Sequence, residues 1–180
     1  MPHTPLHVLI LCTGNSARSI LGECLLERLG EGRVRGHSAG SHPKDAPHPL
    51  ARSLLEARGY DTTRLRSKSW DEFAAPDAPP IDVVLTVCDA ARAETCPVWP
   101  GHPVQAHWGL PDPAACEGSE AERRAAFEDA YRVLEHRVHR LLDLPLASLD
   151  REALGRALEA IGREIPEPSA SLSRSRPPAG

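Results

Sequence analysis

The run Cys12-Thr13-Gly14-Asn15-Ser16-Ala17-Arg18-Ser19 places a thiol, a glycine turn and a guanidinium within eight residues. A thiolate is a strong nucleophile, and cationic or N–H-rich surroundings favour it over the thiol. Arg18 carries a planar fork that can grip two oxygens of an oxyanion. If the turn leads into a helix, the backbone N–H groups of Thr13, Gly14, Asn15, Ser16 and Ala17 face an anion, and the helix dipole assists. Ser19 can then donate a hydrogen bond to the thiolate. The alternative is a buried thiol at a strand end with an arginine on a helix surface, since free cysteines are often buried and inert. A Cys-x5-Arg spacing alone does not decide between them; the elements around it do. An apolar run precedes it and a helical pattern follows, which selects the anion-binding reading.

Other residues supply chemistry with less force. Asp112 lies in Pro111-Asp112-Pro113 and can protonate a leaving oxygen from a stiff loop, yet Pro-Asp-Pro is also good turn chemistry. By spacing alone the turn reading is the stronger. Cys88 follows a buried strand, which puts it at the same sheet edge as Cys12; Cys96 follows in a loop. Cys88, Cys96, His102 and His107 do not have the usual zinc spacing, and two unrelated core thiols remain an alternative. Cys24 falls on an apolar helix face, and Cys116 has no assigned role. Gly36-His37-Ser38-Ala39-Gly40 matches the G-x-S-x-G elbow, but the helix that motif needs after its serine is replaced here by Ser41-His42-Pro43-Lys44. No GxxxxGK[ST], GxGxxG or HExxH pattern occurs.

The elements that must hold these groups are legible as alternating patterns. Leu6 to Leu11 reads as a fully buried strand, and Ser16 to Leu29 as a helix with Ile20, Leu21, Cys24, Leu25 and Leu29 on one face, ended by Gly30 and Gly32. Val34 to Ala39 reads as a strand, and Pro49 opens a helix closed by Gly59. Ile81 to Val87 and Val104 to Trp108 are further strands. Ser119 and Glu122 form a capping-box pattern before a helix with Phe127, Tyr131, Leu134, Val138 and Leu141 in one stripe. A last helix runs from Asp150 to about Arg163. Strand–helix alternation implies an α/β fold with a parallel sheet.

The 180 residues suit one domain, taken as 1–164, with a Pro-, Ser- and Arg-rich tail at 165–180 expected to be disordered. A net charge of −4 argues against a nucleic-acid or membrane-surface binder. No apolar run approaches the roughly 18–20 residues that span a bilayer. Met1 to His7 lacks signal-peptide features, so a cytoplasmic location is expected. Five widely spaced cysteines do not suggest a structural disulfide framework.

Taken in order, several motifs resemble one known family. They are the run Val8 to Ser19, Ser38-Ala39-Gly40, Leu65-Arg66-Ser67-Lys68-Ser69-Trp70, Thr86-Val87-Cys88-Asp89, Cys96-Pro97-Val98-Trp99-Pro100 and His107 to Pro113. Together they resemble arsenate reductases related to low-molecular-weight protein tyrosine phosphatases, over about residues 6–143. The resemblance implies a three-layer α/β fold with a four-stranded parallel sheet flanked by helices. It implies that Cys12 is the nucleophile, Arg18 the oxyanion clamp and Asp112 the general acid. It also implies a disulfide relay from Cys12 to Cys88 to Cys96, with arsenate as substrate, phosphate as its analogue, and thioredoxin as reductant (alternatively glutaredoxin with glutathione). No tightly bound cofactor is expected. Some relatives hold potassium at positions matching Asn15, Glu23 and Ser38, but Ser67-Lys68-Ser69 departs from the carboxylate-containing pattern expected there, so no metal is expected. Two rivals stand: a phosphatase using Cys12, Arg18 and Asp112 alone, and a non-catalytic oxyanion or redox sensor.

Overall fold

A computed structural model describes residues 4–94, 97 and 99–166. Cys96 and most of the expected tail, 167–180, lie outside the described residues. Four strands form one parallel sheet in the order β2-β1-β3-β4: β1 is Leu6–Cys12, β2 Val34–Gly40, β3 Val83–Thr86 and β4 Val104–His107. The helices are α1 (Arg18–Gly30), α2 (Pro49–Ala57), α3 (Asp89–Ala93), α4 (Glu120–Leu142) and α5 (Arg151–Gly162).

β1 is buried from Val8 onward because it lies inside the sheet with both faces covered. Its alternate residues serve different cores. Val8, Ile10 and Cys12 belong to the larger one, with Leu21 and Leu25 of α1, Leu55 of α2 and Leu134 and Val138 of α4. Leu9 and Leu11 pack in a thinner cluster with Ala39, Phe73, Ile81, Val84 and Trp99. The stripe expected in α4 is buried throughout, from Phe127 to Leu141. Burying each such side chain contributes roughly 1.5–3 kcal/mol relative to leaving it exposed.

The helix ends follow local chemistry. Ser119 accepts the Glu122 N–H at 3.1 Å, and Asp150 accepts that of Ala153 at 2.8 Å. α1 runs one residue further than expected, and Glu31 takes the left-handed turn at φ 48° before Gly32. β3 is shorter than the apolar run Ile81–Val87: Ile81 and Val87 are buried but lie outside its ladder. At the other end of the chain, Glu164 pairs with Arg140 and His136. The Pro166 carbonyl accepts from Arg132, so 164–166 are tied to α4.

The chain leaves β1 in one direction to reach β2 and returns past it to form β3. The carboxyl ends of β1 and β3 therefore flank the crevice where open α/β sheets bind ligands. Cys12 is the last residue of β1, and Cys88 lies two residues beyond β3.

Candidate active site

The turn after β1 wraps around the Cys12 sulfur. The Asn15 N–H donates to Cys12 Sγ at 3.2 Å, and Ser19 Oγ lies 3.0 Å from the same sulfur. Asn15 Nδ2 donates to Ser19 Oγ at 2.8 Å. With a thiolate at Cys12 the sulfur has no proton to give, so the Ser19 hydroxyl is the donor. Two donors are then aimed at one sulfur. Asn15 itself is fully buried with φ 45°, a left-handed conformation that asparagine tolerates better than most side chains. Gly40 at the end of β2 explains the Ser38-Ala39-Gly40 motif. A Cβ there would meet the Thr13 carbonyl oxygen at 2.4 Å and the Asn15 nitrogen at 3.0 Å, so only glycine lets the loop pass.

Arg18 opens α1 and reaches across the crevice. Its Nη1 donates to the carbonyls of Leu110 (2.9 Å) and Val87 (3.3 Å), and its Nη2 lies 3.6 Å from Asp112 Oδ2. The other Asp112 oxygen accepts the Ala114 N–H at 3.0 Å and caps the 3-10 turn Pro113–Ala115. Thus one carboxylate oxygen does turn duty while the other faces the guanidinium.

Cys88 is 7 % exposed and caps α3, accepting the Ala91 N–H at 3.4 Å. Its Sγ also lies 3.6 Å from Thr13 Oγ1. Cys12, Arg18, Cys88 and Asp112 all line one open cavity of about 270 Å³, together with His42 and Lys44. A larger cavity of about 650 Å³ adjoins Arg18, Cys88 and Asp112 and is walled by Arg92, His107 and Arg163.

Sequence comparison addresses the same region. Residues 7–155 match the family described as low molecular weight phosphotyrosine protein phosphatase. The chain belongs to this family. An arsenate reductase of Bacillus licheniformis is 32% identical over 136 residues, 76% of this chain and 94% of the relative. The low molecular weight phosphatase fold also recurs in a solved arsenate reductase in a phosphate-binding state, at TM-score 0.53 and 25% identity over 74% of this chain and 97% of that one. The Corynebacterium glutamicum thioredoxin-dependent arsenate reductase shares it at TM-score 0.51 and 24% identity, over 77% of this chain and 64% of its own.

Against the family's pattern, the structure brings Cys12, Thr13, Gly14, Ser16, Ala17, Arg18, Cys88 and Asp112 to one cavity, with Asn15 and Ser19 buried behind the sulfur. Cys96 lies outside the described residues. The G-x-S-x-G segment is β2 itself, and Ser38 is fully buried, donating to Glu23 Oε2 at 2.7 Å rather than facing solvent. His107 Nδ1 lies 2.7 Å from Thr86 Oγ1 and Nε2 3.1 Å from Asp89 Oδ1, and no group of three or more His, Cys, Asp and Glu placed to hold a metal occurs among the described residues. Cys24 is core: burial first, then the nearby Glu23 charge, pushes its thiol up to about 12. Cys116 lies outside this cavity, its Sγ turned to backbone carbonyls. The described residues contain no helix long and apolar enough to cross a membrane.

Sequence reasoning missed two supports, and the backbone contact of a third, Lys68. Lys44 lines the cavity, and its N–H donates to the Gly14 carbonyl at 2.9 Å. Arg137, 2 % exposed, donates to the carbonyls of Trp108 (2.7 Å) and Gly109 (3.2 Å) and so holds the loop leading to Asp112. Lys68 donates its N–H to Asn15 Oδ1 at 2.9 Å. A lysine in a proline-flanked loop and an arginine inside an amphipathic helix carry no sequence signal of such contacts.

Proposed function

We propose that this protein is a cytoplasmic arsenate reductase that uses two thiols of its own to reduce the substrate. The observation that carries the reading is the presence of Cys88 in the same cavity as Cys12, Arg18 and Asp112. Ester hydrolysis needs a nucleophile, an anion clamp and an acid; it has no use for a second thiol beside the first. Arsenic(V) can accept two electrons, and a neighbouring thiol supplies them.

Arsenate enters the loop, held by its N–H groups and by Arg18. The Cys12 thiolate attacks arsenic and forms an S–As bond, while Asp112 protonates the departing oxygen, which leaves as water. Cys88, as thiolate, then attacks the Cys12 sulfur. The S–As bond breaks with its electron pair going to arsenic, so arsenic(V) becomes arsenic(III) and arsenite departs. The two sulfurs are oxidised together to a Cys12–Cys88 disulfide. Cys96 attacks Cys88, freeing Cys12 and leaving Cys88–Cys96. A dithiol protein of the thioredoxin type reduces that bond by exchange. No tightly bound cofactor takes part. The 32% identity to an arsenate reductase along 94% of its length supports the substrate, and the thioredoxin-dependent structural neighbour supports the reductant.

The rival is a phosphatase acting on phosphotyrosine, as the family's description suggests. The cavity walls argue against it as the main activity. Among its described lining residues none is Phe, Tyr or Trp, and Lys44 and Arg18 suit a compact inorganic anion.

Trapping the relay tests the proposal. Cys96→Ser, treated with arsenate and mapped without reduction, is expected to yield a peptide pair joined through Cys12 and Cys88. A map in which both thiols stay free after arsenate contradicts the mechanism.

A further inference from the structure

A buried cation sits behind the loop, outside the cavity, and the reaction steps above do not use it. The Lys68 side chain is 9 % exposed. Its Nζ donates to Ser38 Oγ at 3.3 Å and to the Arg66 carbonyl at 3.2 Å, and lies 3.9 Å from Glu23 Oε2. The Ser38 hydroxyl in turn donates a hydrogen bond to the same Glu23 oxygen at 2.7 Å. Burial alone would push the Glu23 carboxyl up and the Lys68 amine down, and each group's charge opposes the other's shift. This is a paired set inside the fold, where removing one partner is costly.

The backbone of Lys68 is equally engaged. Its N–H holds Asn15 Oδ1, and its carbonyl accepts the Gly40 N–H at 2.9 Å. Asn15 in turn directs its N–H at Cys12 Sγ and its amide at Ser19 Oγ. A continuous chain of contacts therefore runs from the ammonium, through its own backbone and Asn15, to the nucleophile.

The residues matching a potassium position in relatives, Asn15, Glu23 and Ser38, do not fit potassium here. Lys68 donates to Ser38 Oγ through Nζ and to Asn15 Oδ1 through its backbone N–H, Glu23 Oε2 accepts from Ser38, and a potassium ion among them would stand against the ammonium 3.9 Å from that carboxylate. We infer that Lys68 is a built-in cation and a positioning residue: its ammonium fixes the Glu23–Ser38 pair and, through Asn15, the loop around Cys12, so the enzyme works without potassium. The inference concerns the loop and holds whichever oxyanion the loop binds.

The test compares potassium chloride with choline chloride at equal ionic strength. The readouts are the thermal midpoint of the full chain and the alkylation rate of Cys12 by iodoacetamide, resolved by peptide mapping. In the native protein neither readout is expected to change with potassium. In Lys68→Ala, Cys12 alkylation in choline is expected to slow about tenfold as the loop loses its hold on the thiolate, and potassium is expected to restore it saturably. Lys68→Gln keeps a hydrogen-bond donor without the charge, and is expected to show the same slow alkylation. A native protein whose midpoint rises with potassium overturns the inference. So does either variant alkylating at the native rate, or an alanine variant whose loss potassium cannot relieve. If Lys68→Ala does not fold, Lys68→Gln and the native protein's indifference to potassium still decide the matter.

Discussion

Thr13 Oγ1 stands 3.6 Å from Cys88 Sγ, so the second thiol rests on the loop that holds the first. The contact joins residues 75 apart in sequence, across the carboxyl ends of β1 and β3. Because Cys88 also caps α3 through the Ala91 N–H, its sulfur is fixed from two sides in the reduced protein. The proposed attack on Cys12 is expected to release that cap, a small local opening of a five-residue helix.

Cys88→Ser is therefore expected to separate two activities. Arsenate turnover should fall to background, because no thiol remains to take the oxidising equivalents. Hydrolysis of p-nitrophenyl phosphate, which needs only Cys12, Arg18 and Asp112, should remain largely intact. Assaying both reactions on one preparation checks this. Parallel loss of the two would mean that the substitution damages the site rather than the relay.

Ser19→Ala is expected to weaken both activities together. The hydroxyl is fully buried between Cys12 Sγ and the Asn15 amide. Its removal deprives the thiolate of one donor and leaves the Asn15 Nδ2 proton unpaired. Stability should fall by about 1–3 kcal/mol in denaturant titration, and Cys12 alkylation should slow. A variant with native alkylation kinetics would remove Ser19 from the nucleophile's surroundings.

Arg137→Leu tests the support of the acid loop. The guanidinium is nearly fully buried and serves the carbonyls of Trp108, Gly109 and Glu164. Leucine leaves three acceptors without their donor, and the loss should reach about 3 kcal/mol. Because Asp112 stands on the loop so held, kcat for arsenate should fall more than KM rises. A stable variant with native kcat would show that the loop needs no such anchor.

His37 gives the molecule an acid-side weakness. Its ring is stacked on His7 at 5.1 Å between centroids and packs edgewise on Phe73. Burial first, then the neighbouring His7, lowers its pKa to about 4; Lys68 and Arg35 act the same way and Glu27 opposes them. The unfolded chain takes up this proton near 6.5, whereas the folded one refuses it until about 4. The contribution is thus complete above pH 6.5 and lost progressively as pH falls toward 4. Urea midpoints across that range should decline more steeply for the native protein than for His37→Gln. Parallel declines would assign the acid sensitivity to other groups.

How much of this was legible in the sequence varied with the kind of signal. β1, α1, β2, α4 and α5 announce themselves by apolar periodicity and by caps such as Ser119 and Asp150, and the structure forms each within a few residues of its expected ends. α3 escaped because five residues with one buried side chain, Ala91, make no period. Asp112 was divided between turn and acid, and its two oxygens explain why: the sequence pattern of a capping aspartate is the same whether or not its second oxygen faces Arg18. Ser67-Lys68-Ser69 stood out as a departure beside Asn15, Glu23 and Ser38, but the contact from Lys68 to Asn15, 53 residues away, and that from Arg137 to Trp108, 29 away, form only in the folded chain.

The most direct test of the central claim is steady-state NADPH oxidation by thioredoxin reductase, coupled through thioredoxin to the 180-residue chain. The account expects consumption that starts only on adding arsenate, continues over many turnovers and vanishes in Cys12→Ser. Absence of arsenate-dependent consumption with thioredoxin, and again with glutathione and glutaredoxin, would contradict it and leave Cys88 and Cys96 without the roles assigned to them.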